Sequence, residues 1–280
     1  MSPGDTLSFN LTDYFVDRHL KEGRVQKVAI RSGDSVYTYG VLAASINRAG
    51  NGLLRLGLQQ QQRVLLLLPD SPEFAVAYFA AIKIGAVAVP TSTAARTADY
   101  DHFLRESETR ILIVHSALFA EVAPILDSQP SLRHVIVVGE PRHGHLNWTE
   151  WLAQNSPELQ AATTGADDVA FWLWTSGSTG PPKAAVHRQS DWICCCRNYA
   201  VGVLGIGPED TTFSSSKLFH AYGLGNGLMF PFYAGASTVL LPGKVQAKSV
   251  LEIAQAVRPT LFFSVPTLYA QMLQEAEKEP

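Results

Sequence analysis

Cysteine is scarce and oddly placed: the 280 residues hold three, and they are consecutive, Cys194, Cys195 and Cys196. Neighbours on a helix project about 100° apart, so the trio cannot close a metal site alone, and the chain has no CxxC pair. The pattern reads as small buried helix residues of a reduced, cytoplasmic protein. An excess of one charge is also missing. Lys and Arg number 22 against 25 Asp and Glu, for a net charge of −3, which removes any general attraction to nucleic acid or anionic lipid. No apolar run reaches the roughly 18 residues that cross a bilayer; the longest candidates are broken by Lys83 or by prolines. The opening MSPGDTLSFN lacks the basic-then-apolar order of a signal peptide. Internal repeats and low-complexity segments are absent as well. What is present is a 46% hydrophobic chain, ample for a large core and one or two domains.

The pattern along the chain alternates strands and helices. A short helix is expected over 10–20. A hairpin follows, 28–31 and 36–39 around Ser32-Gly33-Asp34. A helix over 39–56 ends at Gly57. Apolar strands are expected at 63–68, 86–89, 111–115 and 134–139, with helices at 73–84, 98–107 and 117–127 between them. Strands that are apolar throughout and alternate with helices argue for a mostly parallel sheet covered on both faces. The polar stretch 140–168 carries one short helix, 149–154, and is expected to cross between sheets and mark a subdomain boundary. Within it His143 and His145 sit two apart, but no third ligand is evident, so no protein metal site is assigned. Further on, strands are expected at 169–174, 184–186, 210–215, 236–241 and 260–265. Helices are expected at 187–203, 222–233, 249–257 and from Pro266 onward.

The most informative stretch is 171–187, FWLWTSGSTGPPKAAVH. A buried strand breaks into Thr175, Ser176, Gly177, Ser178, Thr179 and Gly180, then Pro181, Pro182 and Lys183 precede a second strand. The two glycines permit positive φ and close approach to a ligand. Backbone N–H groups of such a turn can converge on an anion, the four hydroxyls add donors, and Lys183 adds a compact positive charge. The chemistry is that of a triphosphate cradle. The plainer alternative is a flexible connection; against it stand the tight apolar flanks and the lysine fixed beyond two prolines. It is not the common P-loop, which needs Gly-Lys-Ser/Thr entering a helix; a P-loop kinase or ATPase is therefore disfavoured.

Two segments carry a family resemblance. The nine residues TSGSTGPPK closely resemble the signature loop of the adenylate-forming superfamily, which includes acyl- and aryl-CoA synthetases, luciferases and peptide-synthetase adenylation domains. Ala184 stands where that superfamily usually has glycine. Residues 217–231, KLFHAYGLGNGLMFP, resemble the segment lining the carboxylate pocket of benzoate-CoA ligases and their close relatives. The resemblance implies an α/β fold of stacked, mostly parallel sheets with helices on both faces, here part of the large N-terminal domain. It implies activation of a benzoate-type acid by ATP to an acyl-AMP, usually with Mg²⁺, and transfer of the acyl group to CoA. The partners it implies are small molecules, an aromatic carboxylate, ATP and CoA, with no nucleic acid and no membrane.

By residue-for-residue match, Thr175, Ser176, Gly177, Ser178, Thr179, Gly180 and Lys183 would hold the phosphates, with Lys183 and Thr175 nearest the chemistry. His220, Ala221, Tyr222 and Gly223, with Trp192 beside them, would line the aryl pocket. Small Ala221 and Gly223 leave room for a flat ring, which Tyr222 can pack against. His220 stands where related ligases often carry an aromatic residue such as Phe. Either it hydrogen-bonds a ring substituent or the carboxylate, or it packs or gates as an aromatic would. Lys217 either faces the ligand or is solvated, and Ser264, Val265 and Pro266 are candidates for the same pocket. The superfamily's chain is roughly double this length, and its adenine and ribose motifs, hinge and small C-terminal lid domain with a catalytic lysine are not in this sequence. Two readings stay open: a portion of an aryl-CoA ligase, or a non-catalytic nucleotide- or aryl-binding fragment that needs the missing half.

Overall fold

The strands of the computed structural model, which describes residues 9–175 and 180–278, form two sheets. β1 (Val28–Ser32) and β2 (Ser35–Thr38) make the expected hairpin. The chain then builds a second sheet from β3 (Arg63–Leu67), β4 (Val87–Pro90), β5 (Ile111–His115), β6 (His134–Val138), β7 (Leu146–Asn147), β8 (Val169–Thr175) and β9 (Lys183–Arg188). It returns to the first with β10 (Thr211–Ser214), β11 (Ser237–Val239) and β12 (Leu261–Phe263). The strand orders are β12-β10-β11-β1-β2 and β7-β6-β5-β3-β4-β8-β9. Among the described residues only the β1/β2 and β8/β9 pairs are antiparallel. The mixed α/β architecture and its mostly parallel sheets are those the alternating pattern predicts.

Side-chain alternation divides the core into layers. From β3, Val64 and Leu66 point into the large cluster between the sheets, whereas Leu65 and Leu67 point into a second cluster on the outer face. The central layer also holds the helices Tyr39–Arg55 and Pro72–Lys83. The outer cluster takes Tyr100, Phe103 and Leu104 from the helix Thr97–Glu106. A third cluster packs Val250 and Leu268, on the helices Ala247–Val257 and Pro266–Ala276, against Phe213 and Val239 of the five-stranded sheet. The helix Pro72–Lys83 is buried at every position except Glu73, which explains its unbroken apolar sequence. Gly85 ends it with φ +76°, a conformation that other residues adopt at a cost.

The structure departs from the sequence reading in several places. The segment 117–127 is not one helix but three short turns, Ser116–Leu118, Phe119–Val122 and Ala123–Ser128. Pro124 supplies no N–H and interrupts the ladder. The expected helix over 187–203 starts late, at Asp191, because β9 runs on to Arg188 and pairs with β8 along its length. His187 stacks on Phe171 across that pair at 4.6 Å. Cys196 is buried as expected, but Cys194 and Cys195 are exposed. The helix over 221–234 opens into wider, i→i+5 turns over Gly225–Met229, where Gly225, Gly227 and the following Pro231 weaken the regular pattern. The stretch 140–168 contains β7 and connects β6 to β8, all strands of one sheet, so it does not cross between sheets.

Candidate active site

The base of the signature loop is set by strand register. Thr175, last residue of β8, is the cross-strand partner of Lys183, first residue of β9. The Thr175 hydroxyl donates to the Lys183 carbonyl at 3.1 Å, closing the hairpin base. Both residues are exposed, so the hydroxyl and the ammonium can reach a ligand. Ser176, Gly177, Ser178 and Thr179, expected to hold phosphates, lie outside the described residues. Gly180 is exposed, with open space where a Cβ would stand. The return limb is tied to the helix Thr97–Glu106: His102 Nε2 lies 2.9 Å from the Pro182 carbonyl. A carbonyl only accepts, so Nε2 carries the proton. Next to it Trp174 packs on Phe103 with ring centres 4.4 Å apart.

The second element of the site follows β10. His220 stands at the N-terminus of the helix that begins at Ala221, in extended conformation. His220, Ala221 and Tyr222 are exposed, while Gly223 is buried. A Cβ on Gly223 would lie 2.1 Å from the Lys217 carbonyl oxygen and 2.5 Å from that of Ser216. Only glycine lets the helix rest directly on the preceding backbone. The His220 ring packs on Phe219 at 4.4 Å. Partial desolvation lowers its pKa, so at neutral pH it is an uncharged ring with one donor and one acceptor nitrogen. The Tyr222 phenol donates to the Ser264 carbonyl at 3.3 Å, and Ser215 donates to the Ser264 hydroxyl at 2.9 Å. The strand end after β12 therefore belongs to the same region. Trp192 is placed differently. It is buried in the core between the sheets, stacked on Phe171 at 5.9 Å and edge-on to Phe230 at 6.1 Å.

The Lys217 side chain is tied back to the protein. Its ammonium donates to the carbonyls of Leu241 at 2.9 Å and Gly243 at 2.8 Å, and lies 3.5 Å from Asp70 Oδ2. The other Asp70 oxygen accepts from the Leu218 amide at 3.0 Å. Asp70 is 5% exposed. Burial pushes its carboxyl up to about 6, against the opposing pull of Lys217 and of the Leu218 N–H. In the sequence, Pro69-Asp70-Ser71-Pro72 signals only a turn, and His102 only a polar helix position. Neither had a local signal of contact with the site.

Thr175 ends β8, His220 follows β10, Ser264 follows β12 and Asp70 follows β3, so these residues gather at the carboxyl edges of both sheets. Ligands of open α/β sheets bind at that edge. Among the described residues no group of three or more His, Cys, Asp or Glu could hold a metal ion, and no helix is long and apolar enough to cross a membrane.

Such an edge is where an open α/β fold presents a ligand site. A family profile described as "AMP-binding enzyme" matches residues 16–280, and the chain belongs to that family. It is 40% identical over 266 residues to a benzoate–CoA ligase of Thauera aromatica, covering 95% of this chain and 50% of that protein. The crystal structure of the anthranilate CoA ligase AuaEII in complex with anthranoyl-AMP superposes with a TM-score of 0.92 at 34% identity, over 97% of this chain and 52% of that one. A benzoate CoA ligase of Burkholderia xenovorans LB400 superposes at 0.87 with 35% identity, over 95% and 52%. The chain thus spans about half the length of the relatives it matches.

Proposed function

We propose that this chain supplies the phosphate-binding and aryl-binding half of an aryl-CoA ligase. In the first step a benzoate-type carboxylate attacks the α-phosphate of ATP, bound as its magnesium complex. The bond from the α-phosphate to the bridging oxygen breaks, giving aroyl-AMP and pyrophosphate. In the second step the CoA thiol attacks the activated carbonyl and AMP leaves. Catalysis of the first step is chiefly positioning and charge neutralisation. Lys183 and the Thr175 hydroxyl would serve the phosphates, with Ser176, Gly177, Ser178, Thr179 and Gly180. His220, Ala221, Tyr222 and Gly223 would hold the ring, with Trp192 supporting from the core.

The observation that supports this reading is that Thr175 ends β8 of one sheet while His220 follows β10 of the other, the two carboxyl edges being joined by the bond from the Leu218 amide to Asp70. The relatives add support, being named as ligases of benzoate and anthranilate. His220, neutral and exposed, can pair with a ring amino or hydroxyl group, which favours a substituted benzoate. The test is the melting temperature of the 280-residue chain against non-hydrolysable aroyl-AMP analogues. The panel is benzoyl, 2-aminobenzoyl, 4-hydroxybenzoyl and a straight-chain acyl control. A ligand at a hundredfold excess over its dissociation constant adds about 2.7 kcal/mol to the folded state. A shift with an aroyl compound and none with the straight chain is expected. Equal response to all four, or to none, would refute the aryl reading of this chain. His220→Phe should erase any preference for the amino or hydroxyl ring over benzoyl; an unchanged order would remove His220 from the recognition step.

A further inference from the structure

We propose that Asp70, from the other sheet, is a positioning residue that holds the aryl-pocket segment in place through the backbone of Leu218 and the ammonium of Lys217. The inference rests on the aryl reading of residues 220–223 given above. Asp70 follows β3 of the seven-stranded sheet, whereas Leu218 follows β10 of the five-stranded sheet, 148 residues later. The two carboxylate oxygens divide the work. Oδ1 accepts from the Leu218 amide at 3.0 Å, and Oδ2 faces the Lys217 ammonium at 3.5 Å. That ammonium is held from its other side by the carbonyls of Leu241 and Gly243, which follow β11. Three strand ends from two sheets are therefore tied at one point.

The pocket helix sits directly on this point. Gly223 leaves room for the Lys217 and Ser216 carbonyls, which a Cβ would meet at 2.1 and 2.5 Å. The His220 amide donates to the Lys217 carbonyl at 3.0 Å, which fixes the turn that presents the imidazole. A shift of the 217–218 backbone thus passes to His220, Ala221 and Tyr222 through a hydrogen bond and a contact with no slack. Asp70 needs no contact with the ring to set where the ring goes. A site loosened by about an ångström loses binding on the order of ten- to a hundredfold.

The test compares wild type, Asp70→Ala and Asp70→Asn, the last keeping an acceptor for Leu218 while losing the charge facing Lys217. Hydrogen exchange followed by mass spectrometry decides the clamp without any ligand. Asp70→Ala should speed exchange in peptides over 216–224 by roughly tenfold or more while β3 and β5 keep wild-type rates. Asp70→Asn should fall between. Calorimetry then reads the consequence: affinity for an aroyl-AMP analogue should fall by roughly tenfold in Asp70→Ala and less in Asp70→Asn, with affinity for ATP, whose phosphates the 175–183 loop would hold, unchanged. Unchanged exchange over 216–224, or equally faster exchange in the sheet strands, would overturn the proposal. So would equal losses for the aroyl analogue and ATP. If Asp70→Ala does not fold, Asp70→Asn is judged by the same two measurements. Failure of wild type to bind the aroyl analogue would sink the aryl reading and the pocket role together, while the exchange pattern would still decide whether Asp70 clamps the segment.

Discussion

Lys83 offers the sharpest test of how the chain is held together. It is the last residue of an otherwise apolar helix, and its side chain is only 1% exposed. The ammonium donates to Asp17 Oδ2 and Asn47 Oδ1, both at 2.6 Å. This pins the N-terminal helical segment and the helix Tyr39–Arg55 to the buried helix Pro72–Lys83. Asp17→Ala would leave the ammonium buried with only one amide oxygen. Stranding a buried charge costs about 3–5 kcal/mol. Lys83→Met is a milder change, because methionine fills a similar volume and leaves a carboxylate that is 17% exposed. Burial already raises the Asp17 carboxyl, with Lys83 opposing, so without the lysine it can take up a proton instead of remaining a stranded anion. That variant should lose about 1–2 kcal/mol.

The double variant Asp17→Leu/Lys83→Met should recover most of the loss, since an apolar pair often replaces a buried ion pair at little net cost. Urea unfolding at neutral pH reads all three, with constant m-values as the check on two-state behaviour. For 280 residues the unfolding entropy is about 0.6 kcal/mol/K, so 4 kcal/mol corresponds to about 7 °C in Tm. If Asp17→Ala proved milder than Lys83→Met, the asymmetry argued from burial would be wrong.

Three further outcomes are expected. His19 is fully buried, its Nε2 donating to the Phe232 carbonyl at 2.6 Å and its Nδ1 accepting from Arg24 at 3.0 Å; desolvation lowers it to about 4. The unfolded chain binds that proton near 6.5, so the His19 contribution is complete above 6.5 and is lost as pH falls towards 4, by about 3 kcal/mol; a His19→Gln variant with the same acid slope in urea titrations would refute this. Gly223→Ala drives a Cβ into backbone carbonyls and should cost about 1–3 kcal/mol and abolish aroyl-analogue binding, whereas Gly227→Ala, whose Cβ meets side-chain atoms of Leu218 at 3.1 Å and Ser214 at 3.6 Å and no backbone carbonyl, should cost less and leave binding in place. His102→Ala removes the bond to Pro182, worth about 1 kcal/mol, and should weaken ATP binding several-fold, with His102→Gln in between; equal ATP affinity in all three would detach His102 from the loop.

The elements legible in the sequence were those with strong local signals. β3, β5 and β6 are short apolar runs bounded by turn residues, and each appears within a residue or two of its expected place. The helix Tyr39–Arg55 appears at its expected place, and the structure adds its cap, the Thr38 hydroxyl accepting from the Val41 amide at 3.2 Å. Two kinds of feature were not legible. Helix continuity failed where proline or strand pairing overruled periodicity, at 117–127 and at 187–190. Long-range polar partnerships gave no signal at all. Lys83 reads as an interruption of an apolar run and proves to be its buried anchor, because its partners lie 66 and 36 residues away.

The candidate site divides the same way. Its proposed ligand-binding residues form two contiguous motifs, since a strand end and the turn after it present neighbouring side chains at one edge. The residues that hold those motifs in register are scattered. Asp70 reaches Leu218 across 148 positions and His102 reaches Pro182 across 80. Each is a single polar side chain, Asp70 just after β3 and His102 within the helix Thr97–Glu106, bonded to the backbone of a distant segment. Backbone groups carry no identity in the sequence, so nothing in residues 181–183 or 217–218 names its partner. A motif can therefore be read without its supports. Exchange of the two motifs for those of an aryl-CoA ligase should transfer ring preference only if residues equivalent in role to Asp70 and His102 stay in place, and a grafted chain lacking them should bind its aroyl analogue weakly while keeping its fold.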